Sequence, residues 1–224
     1  MGVISVEQTD RLYWLGRYTE RVYTTMRLYF DTYDTMLDHI AKEYREFCRA
    51  LDIPEIYGSR EAFIKRYPFD EEDCNSMISN LKRAYDNAIV LREEIGSEAL
   101  AYIQLAIYEM QKAAISRAPL LEFQKVLDNL VAFWGICDDQ IASENVRNIL
   151  KVGKRVERID LYGRLHSSRE DLNREVCRLA GRIPRCNLKY REDVLEELAD
   201  LVGAEPLDYR RVVTGIEQIL EVSA

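Results

Sequence analysis

The sequence is short of punctuation. Ten glycines and five prolines are spread over 224 residues, so the stretches between breakers are long and read as helix. Only two histidines occur, His39 and His166, far apart in the chain. No H-E-x-x-H motif or paired E-x-x-H is present, which speaks against a zinc or di-iron carboxylate centre. The five cysteines (Cys48, Cys74, Cys137, Cys177 and Cys186) form no C-x-x-C pair and are odd in number. They read as reduced, mostly buried thiols. No apolar run approaches the roughly 20 residues needed to span a bilayer. The first ten residues carry Glu7 and Asp10 and no apolar core of the signal-peptide kind. The expectation is a soluble, cytoplasmic protein with no membrane partner. A basic excess is also missing: the net charge is −8, the wrong sign for a phosphate-binding surface, so no nucleic-acid partner is expected.

What is present is a globular balance, 47% hydrophobic and 31% charged, in a chain long enough to bury its own core. Ser5-x-x-Gln8 is a capping-box signature that opens a first helix running to about Leu51. Pro54, Gly58 and Tyr67-Pro68 then break the chain. A helix is expected from Glu71 to Ile95, with Gly96 as its C-terminal cap. Ser97 then caps a helix to about Arg117. Pro119 suits the first turn of another. Asp138 to Ser143 reads as a turn, with Ser143 or Asn145 capping a helix to about His166. Ser167-x-x-Glu170 is a second capping box, followed by shorter helices near 168–181, 190–202 and 206–222. No β-alternating run is found. The fold class is therefore all-α: a helical bundle over residues 1–166, with residues 167–224 as a C-terminal helical extension packed on the same domain.

A repeat stands out when the sequence is offset by 137 residues. Gly16-Arg17-Tyr18-Thr19-Glu20-Arg21-Val22 falls on Gly153-Lys154-Arg155-Val156-Glu157-Arg158-Ile159, and Arg27-Leu28 falls on Arg164-Leu165. Five of these thirteen positions are identical, against a chance expectation of roughly one in fifteen per position. The helical phase agrees. Leu12, Leu15, Thr19, Val22 and Met26 form one core-facing stripe, and Ile149, Val152, Val156, Ile159 and Gly163 form its counterpart. Glu20 and Glu157 lie well round the helix from these stripes. Arg17 with Glu20, and Lys154 with Glu157, stand at i, i+3 and are expected to pair within their helices. Apolar neighbours on the charged side suggest helices contacted on two sides, with the charges enclosed and therefore paired.

These residues resemble a known family. Tyr13-Trp14-Leu15-Gly16-Arg17-Tyr18-x-Glu20-Arg21 is similar to the first signature of the bacterial alpha-E domain proteins. Gly153-Lys154-Arg155-Val156-Glu157-Arg158, followed by Arg164-Leu165, is similar to the second. Asp86-Asn87-Ala88-x-x-x-Arg92-Glu93 resembles the family's central E-N-A-x-x-x-R-E motif, with Asp86 where Glu is common, and Phe133-Trp134-Gly135 fits the approach to the second signature. The resemblance covers about residues 8 to 166. It implies an all-helical domain and partners of the ATP-grasp-like ligase or transglutaminase-like protease kind, hence a peptide-synthesis or peptide-modification setting. It implies no established activity.

Three readings of the charged residues compete. The first is an accessory binding domain. In it Arg17, Glu20, Arg21 and Arg27, with Lys154, Glu157, Arg158 and Arg164, hold a small anionic ligand or peptide end, and Asn87 and Arg92 complete the pocket. Arginine suits this task because its planar fork meets carboxylate or phosphate bidentately. The second is an enzyme of the same pathway with Glu20 or Glu157 as general base. The third is a structural interaction protein in which the cluster is an ion-pair lock. No cofactor is expected, since neither G-x-x-x-x-G-K-[ST] nor G-x-G-x-x-G occurs. Asp138-Asp139 has a placement similar to the aspartate pair of helical prenyl synthases. Asp34 and Asp38 are the only candidates to complete a Mg²⁺ site there, so the pair reads as a helix-end turn. The tyrosines Tyr13, Tyr18, Tyr23, Tyr29, Tyr33 and Tyr44 are expected on the first helix, as packing residues or as the wall of a peptide or partner groove.

Overall fold

The computed structural model describes residues 4–38 and 43–221, with the side chains of residues 34–38 and 43 outside the description. The capping box forms: Gln8 N–H donates to Ser5 Oγ at 3.1 Å, and Ser5 N–H donates to Gln8 Oε1 at 2.8 Å. It opens α1 (Val6–Asp38). The later part of the expected first helix is α2 (Glu43–Ala50), which holds Tyr44, and residues 39–42 between α1 and α2 lie outside the described residues. His39 lies outside the described residues, as do the side chains of Asp34 and Asp38. A short α3 (Arg60–Arg66), capped by Ser59, runs into a 3-10 turn at Tyr67–Phe69. The helix expected from Glu71 begins later, as α4 (Met77–Val90), because Ser76 takes the N-cap and accepts from Ser79 N–H. It breaks at Leu91 before α5 (Arg92–Ile95).

Gly96 does close α5. Its φ of +85° is open to glycine at little cost, and its N–H donates to Arg92 O. Ser97 is then the first residue of α6 (Ser97–Ile115) rather than its cap. Pro119 starts α7 (Pro119–Gln140). Asp138 and Asp139 are in its last turn, so the turn expected from Asp138 begins only after Gln140. Ser143 caps α8 (Glu144–Arg164). Ser168, one residue beyond the serine expected, caps α9 (Arg169–Ala180) by accepting from Asp171 N–H. The tail closes with α10 (Glu192–Gly203) and α11 (Tyr209–Glu217). The protein is all-α. Among the described residues there is no strand, only an isolated bridge between Tyr190 and Leu220, and no helix is long and apolar enough to cross a membrane.

The chain divides into two compact units, one of residues 1–20 and 142–224, the other of residues 21–141. In the first unit α8 packs against α9 and α11, and α10 packs against both of those. Leu12, Leu15, Val152, Val156 and Ile159 are at most 1% exposed, as the two stripes predict. In the second unit α6 and α7 form an antiparallel hairpin with α4 against α6. Its aromatic core joins Tyr44, Phe47, Tyr57, Phe63 and Tyr67 through ring contacts, including a Phe63–Tyr67 stack at 4.7 Å. Only two cysteines, Cys48 and Cys137, are buried. Cys74 and Cys177 are exposed and Cys186 is intermediate, so the expectation of mostly buried thiols is corrected.

Candidate functional site

The site is built on contact between helix backbones. A Cβ placed on Gly16 would lie 2.1 Å from Leu150 O and 3.0 Å from Lys154 N, and one on Gly153 would lie 2.1 Å from Tyr13 O and 3.2 Å from Arg17 N. Glycine is required at both positions because no heavier residue leaves room for the opposing carbonyl. The contacts are reciprocal. Gly16 meets the residue three before Gly153, and Gly153 meets the residue three before Gly16.

With the backbones this close, side chains just beyond the glycines cross over to the opposite helix. Arg17 Nε donates to Glu157 Oε2 at 2.6 Å, and Arg158 Nε donates to Glu20 Oε1 at 2.6 Å. Lys154 Nζ lies 3.8 Å from Glu20 Oε2. The pairing expected between Arg17 and Glu20 on one helix is therefore replaced by pairing across the interface, which connects elements far apart in sequence. Both glutamates are 0% exposed, whereas Arg17, Lys154 and Arg158 side chains keep 14%, 14% and 16%. The Arg17 guanidinium lies over the Trp14 ring, its carbon 5.0 Å from the ring centre. Tyr18 stacks on Trp14, with ring centroids 5.3 Å apart.

The network extends through residues that the sequence reading did not single out. Glu175 on α9, also 0% exposed, accepts from Arg155 at 2.5 Å and from Arg178 at 2.8 Å, with Arg158 at 3.7 Å. Arg158 thus bridges two buried carboxylates, Glu20 and Glu175. Asp160 accepts from Arg164 at 2.8 Å and lies 3.8 Å from Arg17, and Arg164 continues to Glu217 on α11 at 2.6 Å. The available signal was the spacing of Lys151, Lys154, Arg155 and Arg158. At i, i+3, i+4 and i+7 they put four cations on one face of α8, and a face so charged, once covered, needs carboxylates from whatever covers it.

Electrostatics follow the burial. Desolvation works against the Arg17 charge, but Glu157, with Tyr13 and Asp160, more than offsets it and holds the guanidinium above its ordinary value. The same contest at Arg158 is settled upward by Glu20. Burial would raise the Glu175 carboxyl, yet Arg155 and Arg158 bring it below its ordinary value. Burial raises Asp160, helped by the charge on Glu157. Lys154 goes the other way. Burial, reinforced by Arg158, Arg155 and Lys151, brings its ammonium down from 10.5 to about 7 against the pull of Glu20.

Of the ten residues expected at the site, Arg17, Glu20, Lys154, Glu157, Arg158 and Arg164 belong to this network. The other four lie in the second compact unit. Arg21 is half-buried there, close enough to Tyr67 to act on its hydroxyl. Arg27 is exposed, with Nη1 3.4 Å from the Tyr23 hydroxyl. Asn87 sits in the last turn of α4, its carbonyl accepting from Leu91 N–H. Arg92 Nε donates to Ser97 Oγ at 2.9 Å, clamping the α5–α6 corner.

Two consequences are measurable. Gly16→Ala and Gly153→Ala each push a methyl into a carbonyl of the other helix, and are expected to destabilise the fold by about 3 kcal/mol or more. Urea midpoints give the value, and a change under about 0.5 kcal/mol, the range of ordinary surface substitutions, would contradict the close contact. Lys154 has a folded-state pKa below its unfolded one. Between about 7 and 10.5 the unfolded chain therefore carries a proton that the folded chain lacks, so this group adds stability as pH rises through that window. Lys154→Met should gain most over the parent below pH 7, with the advantage shrinking toward pH 10. Parallel urea curves at both ends of the range measure the difference, and a pH-independent gap would show that the lysine is solvated.

The Alpha-E family model, described as a predicted alpha-helical domain with a conserved ER motif, matches residues 8–192. The match passes residue 166 and takes in α9 with Glu175, so part of the expected extension falls within the family region. No curated protein and no solved structure matches the chain. The E-R pairs at Glu20-Arg21 and Glu157-Arg158 lie inside the matched span, and the chain belongs to the Alpha-E family.

Proposed function

We propose that the two E-R segments are copies of one helical motif and act as an ion-pair lock, and that the protein is a non-catalytic accessory domain. The observation that carries this reading is the complete burial of Glu20 and Glu157, each held at 2.6 Å by a guanidinium from the opposing helix. A carboxylate so enclosed is out of reach of a substrate proton, which counts against a general-base role. Removing one partner of such a pair leaves an uncompensated charge in a dry site, so the network fixes one helix register and penalises others. The domain would then present its outer helical surfaces to a partner. The family resemblance brings an ATP-grasp-like ligase or a transglutaminase-like protein in a peptide-synthesis or peptide-modification pathway as that partner.

A second reading keeps the same residues as a seat for a small anionic ligand or peptide end. It is favoured by the residual exposure of Arg17, Lys154 and Arg158, which leaves an edge of the cationic cluster reachable.

Glu20→Gln and Glu157→Gln separate the readings. Under the lock each costs about 3 kcal/mol or more, a fall of about 6 °C or more in Tm for a chain of this size. Under the ligand reading stability changes little. Instead, glutamate, a short peptide or phosphate raises the parent's Tm and fails to raise that of the Arg17→Ala, Arg158→Ala double variant. Thermal melts of the variants with and without these compounds decide. Unchanged stability with no ligand response in the parent would remove both readings.

A further inference from the structure

Two of the tyrosines on α1 do more than fill the core. Tyr29 and Tyr33 line a half-enclosed pocket of about 350 Å³ in the second compact unit, between α1, α3 and the turn from α6 to α7. That volume is at the small end of ligand pockets. Its floor is aromatic. Tyr29 and Phe123 are each 1% exposed, with ring centroids 6.0 Å apart and edge-on, and Phe69 lies at 5.6 Å from Phe123. The Tyr29 hydroxyl is spent on Ile64 O at 3.1 Å, so Tyr29 offers its ring alone.

The mouth has the opposite character. Lys65 is exposed, and neither its ammonium nor the Tyr33 hydroxyl has a hydrogen-bond or ion-pair partner among the described residues. Ser116 Oγ accepts from Ala118 N–H at 3.1 Å, which leaves its hydroxyl proton to donate. The charge on Arg60, also at the mouth, is answered in place by Glu61 at 2.8 Å. Among the described residues, Lys65 is thus a cation of the lining with no carboxylate paired to it. Three donors, one of them the Lys65 ammonium, stand with an aromatic floor in one pocket, and the first turn of α7, the positive end of that helix, borders the same opening.

We propose that this pocket binds a small carboxylate with an aromatic body, its ring against Tyr29, Phe69 and Phe123 and its oxyanion among Lys65, Tyr33 and Ser116. The ring packing supplies affinity, and the charge-assisted hydrogen bonds supply the choice of acid over amine. The proposal is independent of the ion-pair network, since none of its residues takes part there.

The test uses 4-phenylbutyrate, 4-phenylbutanol and 4-phenylbutylamine as probes, with isothermal titration and saturation-transfer NMR on the whole chain. The acid is expected to bind about tenfold or more tighter than the amine, the effect of one charge-assisted hydrogen bond. Lys65→Glu should abolish or invert that preference. Ala114→Trp, which puts a large side chain at an exposed position lining the pocket, should remove binding of all three probes. Both changes are at exposed positions, and thermal melts matching the parent verify that the fold is kept. No binding of any probe by the parent, equal binding of acid and amine, or undiminished binding by Ala114→Trp would overturn the proposal.

Discussion

Two helices whose backbones touch set the terms for everything around them. Where α1 and α8 meet at Gly16 and Gly153, each lacks the atom that would collide with a carbonyl of the other. Helices separated by side chains usually stand about 8–10 Å apart, and at Gly16 and Gly153 the separating side chain is missing. Close approach shortens the reach required of neighbouring side chains. It lets Arg17 and Arg158 span the interface at 2.6 Å, and it shuts water away from Glu20 and Glu157. Without the glycines the helices would separate, and the same charges would pair within their own helices or with solvent.

The ion pairs are in turn costly to bury. Several kcal/mol of desolvation attach to each charge and are offset only when geometry and partner count are right. The network meets that condition by sharing. Arg158 serves Glu20 and Glu175, and Arg17 serves Glu157 and Asp160. Sharing ties α9 and α11 to the same core, because Glu175 and Glu217 are the outer anchors of its two branches. The C-terminal helices are therefore part of the electrostatic scheme. The depressed Lys154 marks where burial, with the neighbouring cations of α8, outweighs the pull of Glu20.

The helical class, the caps at Ser5, Gly96 and Ser143 and the two core stripes were legible in the sequence, because each rests on a local rule: breaker residues, side-chain capping or a 3.6-residue period. That Arg17, Glu20, Lys154, Glu157 and Arg158 would come together in one charged cluster was legible from the offset alignment. Their partners were not. Spacing along one helix favoured Arg17 with Glu20, and only the helix-to-helix distance, set by two glycines, redirects Arg17 to Glu157. Glu175 was missed for a related reason, since nothing local says which carboxylate covers a basic face. The late start of α4 follows from a serine cap at Ser76 that outweighs the acidic run Glu71-Glu72-Asp73 as a start signal. The pocket at Tyr29 and Tyr33 depends on three separated segments, α1, α3 with its 3-10 turn and the α6–α7 corner, whose meeting no periodicity announces.

The claim on which the account turns is that the charges hold each other. A double-mutant cycle on Arg17 and Glu157 tests this most directly, with urea unfolding of Arg17→Leu, Glu157→Leu and the double variant. The account predicts that each single change costs about 3 kcal/mol or more, because it strands a buried charge, and that the double variant costs clearly less than the two together. Small single costs that simply add would show two solvated side chains that happen to be near each other, and would contradict it.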